Sequence, residues 1–135
     1  MVRSSGTYYL ENDTGWFPAS GGWTVRLEDG PGTLSTVWSS SNSICNVKIA
    51  YFDESDGTGW FGFYVNETKV GEWFASANDD QLHTNVLANV SINNGDELRI
   101  AAYSNLGELN RTDAMEVEVL AGGPQPPTAP TGLVA

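Results

Sequence analysis

The chain is poor in the residues that most covalent and metal-assisted chemistry requires. It has one cysteine, Cys45, and one histidine, His83, in 135 residues. A lone cysteine excludes an internal disulfide, and one Cys with one His cannot supply the ligand set of a zinc site. A Ser-His-Asp centre would have to use His83, and no nucleophile motif surrounds any serine. Lys and Arg total 6 against 17 Asp and Glu, for a net charge of −11. So few cations argue against nucleic acid and anionic membranes as partners, because binding either depends on counterion release by basic residues. No apolar run approaches the ~20 residues of a membrane-spanning helix. The first residues, Met1 to Gly6, lack the apolar segment of a signal peptide and read as a leader.

Aromatics and alternation are abundant instead. Five Trp, five Tyr and five Phe accompany 15 Gly. Trp23, Val25 and Leu27 alternate with polar neighbours, as do Val47, Ile49 and Tyr51, then Phe61, Phe63 and Val65. Val90 and Ile92 lead into Asn93-Asn94-Gly95-Asp96, a turn signal of the kind hairpins use. Leu98, Ile100 and Ala102 follow, and Met115, Val117 and Val119 form the last alternating run. No segment sustains a 3.6-residue period, so the reading is all-β, an antiparallel β-sandwich of jelly-roll type. Cys45, between Ile44 and Val47, is expected as a small buried hydrophobe.

Two charged stretches fall at strand ends, where polar groups can reach a ligand without disturbing a core. They are Asp53-Glu54-Ser55-Asp56-Gly57 and Gly107-Glu108-Leu109-Asn110-Arg111-Thr112-Asp113. An Arg donates from a rigid fork while carboxylates accept, an arrangement suited to hydroxyl-rich ligands or a metal. Asp53, Glu54, Asp56, Glu108 and Arg111 are therefore candidate sugar-binding residues, the alternative being an ion pair that stitches two loops. Trp16, Phe17 and Trp23, in a Gly-rich loop, and Trp60, after the Asp-Gly loop, are candidate platforms for the CH-rich face of a sugar. Trp23 shares parity with Val25 and Leu27 and fits the core as well. Trp38, Trp73 and Phe74 have no loop context and are assigned to core or sheet packing.

Beyond Leu120 the chain changes character. Residues 121–130 are Pro/Gly-rich without alternation and read as an extended linker. Pro127 to Ala135 resembles the opening of a fibronectin type III domain, a spacer in secreted polysaccharide-degrading enzymes. The expected organisation is one module over residues 7–120, followed by a linker and the start of a further domain.

Taken in order, Tyr8-Tyr9-Leu10-Glu11-Asn12, Val47 to Glu54, Phe63 to Val70, Asn94 to Ile100 and Glu108 to Val117 resemble carbohydrate-binding modules of families 6 and 35. The Asp-Glu-x-Asp-Gly and Gly-Glu-x-x-Arg-x-Asp stretches look like a subgroup attached to marine polysaccharide hydrolases and lyases. The resemblance implies a secreted, monomeric, non-catalytic module that carries a parent enzyme to a polysaccharide or oligosaccharide. It implies a structural calcium held by Glu11 and Asp113, with Tyr9 at the position of the family's first acidic ligand. It also implies a sugar site at one end of the sandwich, in which Arg111 occupies the place of a sugar-binding Asn. The usual second aromatic falls near Asp80-Gln81-Leu82-His83, where no Trp or Tyr occurs, so the familiar aromatic clamp is broken.

Other classes remain to be weighed. Asp53, Glu54 and Glu108 could form the carboxylate pair of a small glycosidase, but acidic pairs are common in so acidic a chain. An adhesin or spacer is a third class. The sequons at Asn12, Asn66, Asn89 and Asn110 would matter only in a eukaryotic secretory host. The negative charge disfavours heavily sulfated or uronic-acid chains unless calcium bridges them, and a marine galactan such as agarose is the first expectation. β-Glucan, xylan, alginate and carrageenan are the alternatives.

Overall fold

The computed structural model describes residues 2–4, 7–12 and 23–122. Ten strands follow one another: β1 (Val2–Ser4), β2 (Thr7–Asn12), β3 (Trp23–Asp29), β4 (Gly32–Val37), β5 (Ser43–Asp53), β6 (Gly59–Val65), β7 (Thr68–Ala75), β8 (Gln81–Ile92), β9 (Glu97–Tyr103) and β10 (Asn110–Gly122). They form two five-stranded sheets, ordered β1-β4-β9-β6-β7 and β2-β3-β10-β5-β8. Every pairing is antiparallel. Here the alternation expectation holds: this is an antiparallel sandwich of jelly-roll type.

The core lies between the sheets, where the apolar phase of each inner strand meets its counterpart. Cys45, Val47, Ile49 and Tyr51 of β5 face Phe61 and Phe63 of β6 and Leu98, Ile100 and Ala102 of β9. Cys45 is completely buried, as its neighbours suggested. Trp73 packs against this core with its ring 5.5 Å from that of Phe61, and Trp38 joins from the side.

Three placements differ from the sequence reading. Val2–Ser4, read as leader, pairs with Thr33–Ser35 of β4; strand addition needs only backbone groups and leaves no side-chain pattern. Asn93-Asn94-Gly95-Asp96 does form a turn, with Gly95 at φ +89° and Asp96 N donating to Asn93 O at 3.0 Å. That turn, however, joins β8 of one sheet to β9 of the other rather than closing a hairpin. The last strand also begins earlier and ends later than the alternation indicated. Asn110 to Asp113 already belong to β10, and Ala121 and Gly122 pair with Ile44 and Ser43. No helix among the described residues is long and apolar enough to cross a membrane.

Candidate functional site

The two acidic stretches meet at one end of the sandwich because β5 and β10 are neighbours, with Arg111 opposite Phe52. Two glycines allow the close approach. Gly57 has φ +77°, and a Cβ there would sit 2.5 Å from Asn105 O and from Glu108 N. Gly107 has φ +91°, and its Cβ would lie 2.7 Å from Asp56 Oδ2. Both positions need the left-handed region and an empty side, which only glycine supplies.

Around these glycines the charged side chains turn to one another. Arg111 Nη1 donates to Glu54 Oε1 in a buried ion pair. Glu54 Oε2 accepts Leu109 N at 2.8 Å, and Glu108 Oε1 accepts Glu54 N at 3.3 Å. Asp53 accepts Ala77 N and Asn78 N at 2.9 and 3.0 Å, tying the β7–β8 connection to the end of β5. Arg111 is 4% exposed and Glu108 0%. The guanidinium lies 5.9 Å from the Phe52 ring, and on the β3 side of β10 Arg111 is in register with Arg26.

Glu108 is the anomalous member. Its Oε2 is buried and has no hydrogen-bond partner, and the same holds for Asn110 Oδ1. Asn110 Nδ2 is committed to Trp60 O at 2.9 Å. Burial pushes the Glu108 carboxyl up to about 8, and the negative charges of Glu54, Asp53 and Asp56 act in the same direction, against the hydrogen bond from Glu54 N. Oxygens of Glu54, Asp56 and Glu108 all lie within 4.8 Å of one another. Such a cluster can knit loops, hold a proton or hold a hard cation.

A second surface lies around the corner. On the outer face of the β1-β4-β9-β6-β7 sheet, Phe74, Trp60 and Tyr103 stand directly opposite one another on β7, β6 and β9. Phe74 is 57% and Tyr103 50% exposed. The Trp60 indole lies over Gly62, where a Cβ would come within 2.7 Å of it, and its Nε1 donates to Glu72 Oε2 at 3.0 Å. Gly62 thus lets the ring lie down on the sheet and turn one face outward. Tyr64, on the same face, carries Arg99 4.9 Å above its ring. Tyr103 also borders a depression of about 360 Å³ at the loop end, lined in addition by Glu28, Asn105, Leu106 and Glu108.

The sequence-derived candidates divide accordingly. Asp53, Glu54, Asp56, Glu108 and Arg111 are brought together, but only Asp56 is exposed; the others are buried and bonded within the protein, Glu108 through one oxygen only. Trp60 forms the centre of an aromatic row. Phe74, assigned from sequence to packing, is mostly exposed, because its neighbour Trp73 takes the inward phase. Tyr103 was missed altogether; at the end of β9 nothing in its immediate sequence marks it. Trp16 and Phe17 lie outside the described residues, as do the side chains of Trp23 and Glu11. The backbone register sets Glu11 opposite Thr24, while on the other side of β3 Thr112 sits opposite Val25, one residue before Asp113. On β3 itself, Thr24 Oγ1 is buried without a hydrogen-bond partner. By residue type, two acidic residues on the strands that flank β3 are an all-oxygen set of the kind a hard cation takes.

No protein-family model and no curated protein sequence matches the chain. Solved structures do. A family 6 carbohydrate-binding module superposes with a TM-score of 0.65 at 9% identity, covering 89% of this chain and 88% of its own. The CBM35 of Paenibacillus barcinonensis gives 0.61 at 17% identity, covering 87% and 93%. The GH26-CBM35 β-(1,4)-mannanase of Podospora anserina gives 0.63 at 20% identity, with 93% of this chain matched to 28% of the enzyme. The chain therefore has the fold of the family 6 and family 35 carbohydrate-binding modules.

Proposed function

We propose that the chain is a non-catalytic carbohydrate-binding module of a secreted polysaccharide-degrading enzyme. The observation that carries this reading is the row Phe74–Trp60–Tyr103, exposed on a sheet face and continuous with the depression beside Tyr103. Neighbouring strands are about 4.8 Å apart, so three successive strands present a flat strip about 10 Å between its outer backbones. Aromatic faces pack against the CH-rich faces of sugars, and Glu72, Glu28 and the neighbouring loop supply polar groups for hydroxyls. Catalysis fits poorly, since Glu54 already accepts from Arg111 and Leu109. The Gly-rich loop with Trp16, Phe17 and Trp23 is a further candidate contact. Asp53, Glu54, Glu108 and Arg111 would act mainly by setting the loop end in place, with Asp56 free to reach a ligand. Calcium, if bound as the family resemblance implies, would be held by Glu11 and Asp113 and would supply a structural cross-link between early and late strands.

A neutral galactan of the agarose type is the first ligand to test. The strong negative charge disfavours polyanions, and the loop motifs resemble those of marine enzymes. A further structural neighbour, at 20% identity, is an exo-β-1,3-galactanase from Phanerochaete chrysosporium solved with galactose. Affinity electrophoresis in agarose, porphyran, carrageenan, alginate, laminarin and xylan gels tests the reading. Retardation by agarose that is lost in Trp60→Ala, with an unchanged far-UV spectrum, is the expected result. Preference for xylan or laminarin would overturn the galactan choice, and free migration in every gel would overturn sugar binding in favour of a spacer.

A further inference from the structure

A sandwich meets other chains most readily at its edge strands, where one row of backbone N–H and C=O groups has no neighbour. The two sheets end in β1 and β7, and in β2 and β8. Three of these edges carry charges of the kind that discourage pairing: Arg3 in β1, Glu11 in β2, Lys69 and Glu72 in β7. Strand β8 carries none. Its 12 residues, Gln81–Ile92, include no Asp, Glu, Lys, Arg or Pro, in a chain of net charge −11. Its bulge falls late, between Leu87 and Val90, where Asn89 has φ +55° and its N donates to Asn46 Oδ1. Gln81 to Leu87 therefore pair with β5 without interruption, and among the described residues no strand pairs with their other side. Leu87 turns inward, over Gly71 of β7 and against the core. Leu82, Thr84 and Val86 share the outward phase, with Val86 52% and Leu82 37% exposed.

We propose that β8 is a self-association edge, at which a second copy of this chain pairs antiparallel about a two-fold axis at Thr84. The segment is self-complementary about that point. Leu82 falls opposite the partner's Val86 on the outer face, and Thr84 meets the partner's Thr84. Apolar and Thr–Thr pairs of this kind both stabilise a sheet. Charge is compatible as well. The nearest acidic residue before the strand, Asp80, stands about eight residues along the ladder from the partner's Asp80. That is about 27 Å, well beyond the screening length of about 8 Å at physiological salt. A two-fold axis uses up both β8 edges and leaves only charged ones, so association closes at the dimer. About seven residues a side is far short of the about 20–30 of a standard interface, so the dimer is a weak one, in the range of tens to hundreds of micromolar. The axis runs perpendicular to the joined sheets, so the Phe74–Trp60–Tyr103 rows of both copies face the same way. That consequence alone rests on the sugar-binding reading, on which two rows meeting one polysaccharide surface gain avidity without any new contact.

Sedimentation equilibrium up to about 1 mM protein, in about 0.1 M and about 1 M salt, tests the pairing with no sugar present. Wild type should show a reversible monomer–dimer equilibrium that strengthens with salt, because screening lowers the repulsion between two chains of charge −11. Val86→Lys sets a cation against the partner's Leu82 and should weaken association roughly tenfold or more, even though it lowers the net negative charge. Leu82→Glu should weaken it likewise. The double variant Leu82→Glu/Val86→Lys places opposite charges across the axis at the wild-type net charge, and it should recover the dimer. Val37→Lys, at a 62% exposed apolar residue of β4, should leave the equilibrium unchanged. A wild type that stays monomeric at the highest protein and salt concentrations would overturn the proposal, as would growth beyond the dimer. So would single variants no weaker than Val37→Lys, or a double variant that fails to recover. Agarose retention does not enter these measurements, so failure of the pairing and failure of the sugar reading are read separately.

Discussion

Glu108 should make the cation-free protein less stable as pH rises through neutrality. The carboxyl is fully buried and moves from its ordinary 4.5 to about 8, first because burial removes its hydration and then because Glu54, Asp53 and Asp56 repel its charge. Between those values the folded state keeps a proton that the unfolded chain has released, so unfolding releases it and stability falls with pH. Below about pH 4.5 both states are protonated and the folded protein carries no penalty; above about 8 both are ionised and the penalty is complete. At about 1.4 kcal/mol per unit, the full displacement is worth up to about 5 kcal/mol, of which about 3 kcal/mol has accrued by pH 7. Glu108→Gln keeps the acceptor for Glu54 N and removes the ionisation, so its stability should not show this decline. The assay is urea unfolding in EDTA, followed by tryptophan fluorescence at pH 5, 6, 7 and 8. The difference between Glu108→Gln and wild type should be small at pH 5 and favour the variant by several kcal/mol at pH 8. Titrations of exposed groups cancel in that difference. Parallel profiles, or a variant less stable at every pH, would refute the account of Glu108 as a strained, uncompensated acid.

Further outcomes follow from the same geometry. Arg111→Ala leaves Glu54 as a buried, unpaired carboxylate and should cost about 3–5 kcal/mol in urea unfolding; Arg111→Lys should recover only part, since it loses the fork that spans its partners. Gly57→Ala places a methyl 2.5 Å from the Asn105 carbonyl and from Glu108 N at φ +77°. Beyond the roughly 1–2 kcal/mol of the left-handed conformation, the loops must separate, so its thermal midpoint should drop clearly below that of an exposed control such as Gly122→Ala, whose Cβ meets nothing within 4 Å. Tyr103→Ala and Phe74→Ala should each weaken retention on agarose by about 0.5–1.5 kcal/mol, several-fold in affinity, without altering unfolding, because both rings are at least half exposed. Equal retention in both variants would move the contact surface away from the row.

What the sequence could and could not disclose follows from where each side chain stands. Strands β3, β5, β6, β9 and β10 were legible because one phase faces the core, as in the regular alternation of β5. Strand β7 and most of β8 were not, because they lie at sheet edges and expose residues of both phases. A strand that buries little has no reason to alternate. Proximity of the two acidic loops was readable, since both flank strands of one sheet. Burial was not, because Glu and Arg are so rarely enclosed that exposure is the natural expectation. The usable signal was glycine: Gly57 and Gly107, each beside an acidic residue, mark a backbone approach too close for any side chain. Adjacent Trp73 and Phe74 carried another signal, because consecutive residues of a strand point to opposite faces, and one of the two had to leave the core. The aromatic row itself depends on register. Phe74 meets Trp60 only because the β6–β7 pairing shifts between Phe63 and Tyr64. One residue of slip would set the half-buried Trp60 opposite a neighbour of Phe74 and break the strip. Local pattern yields which residues point outward; only long-range pairing decides which outward residues share a surface, and it is on that surface that sugar binding should be sought.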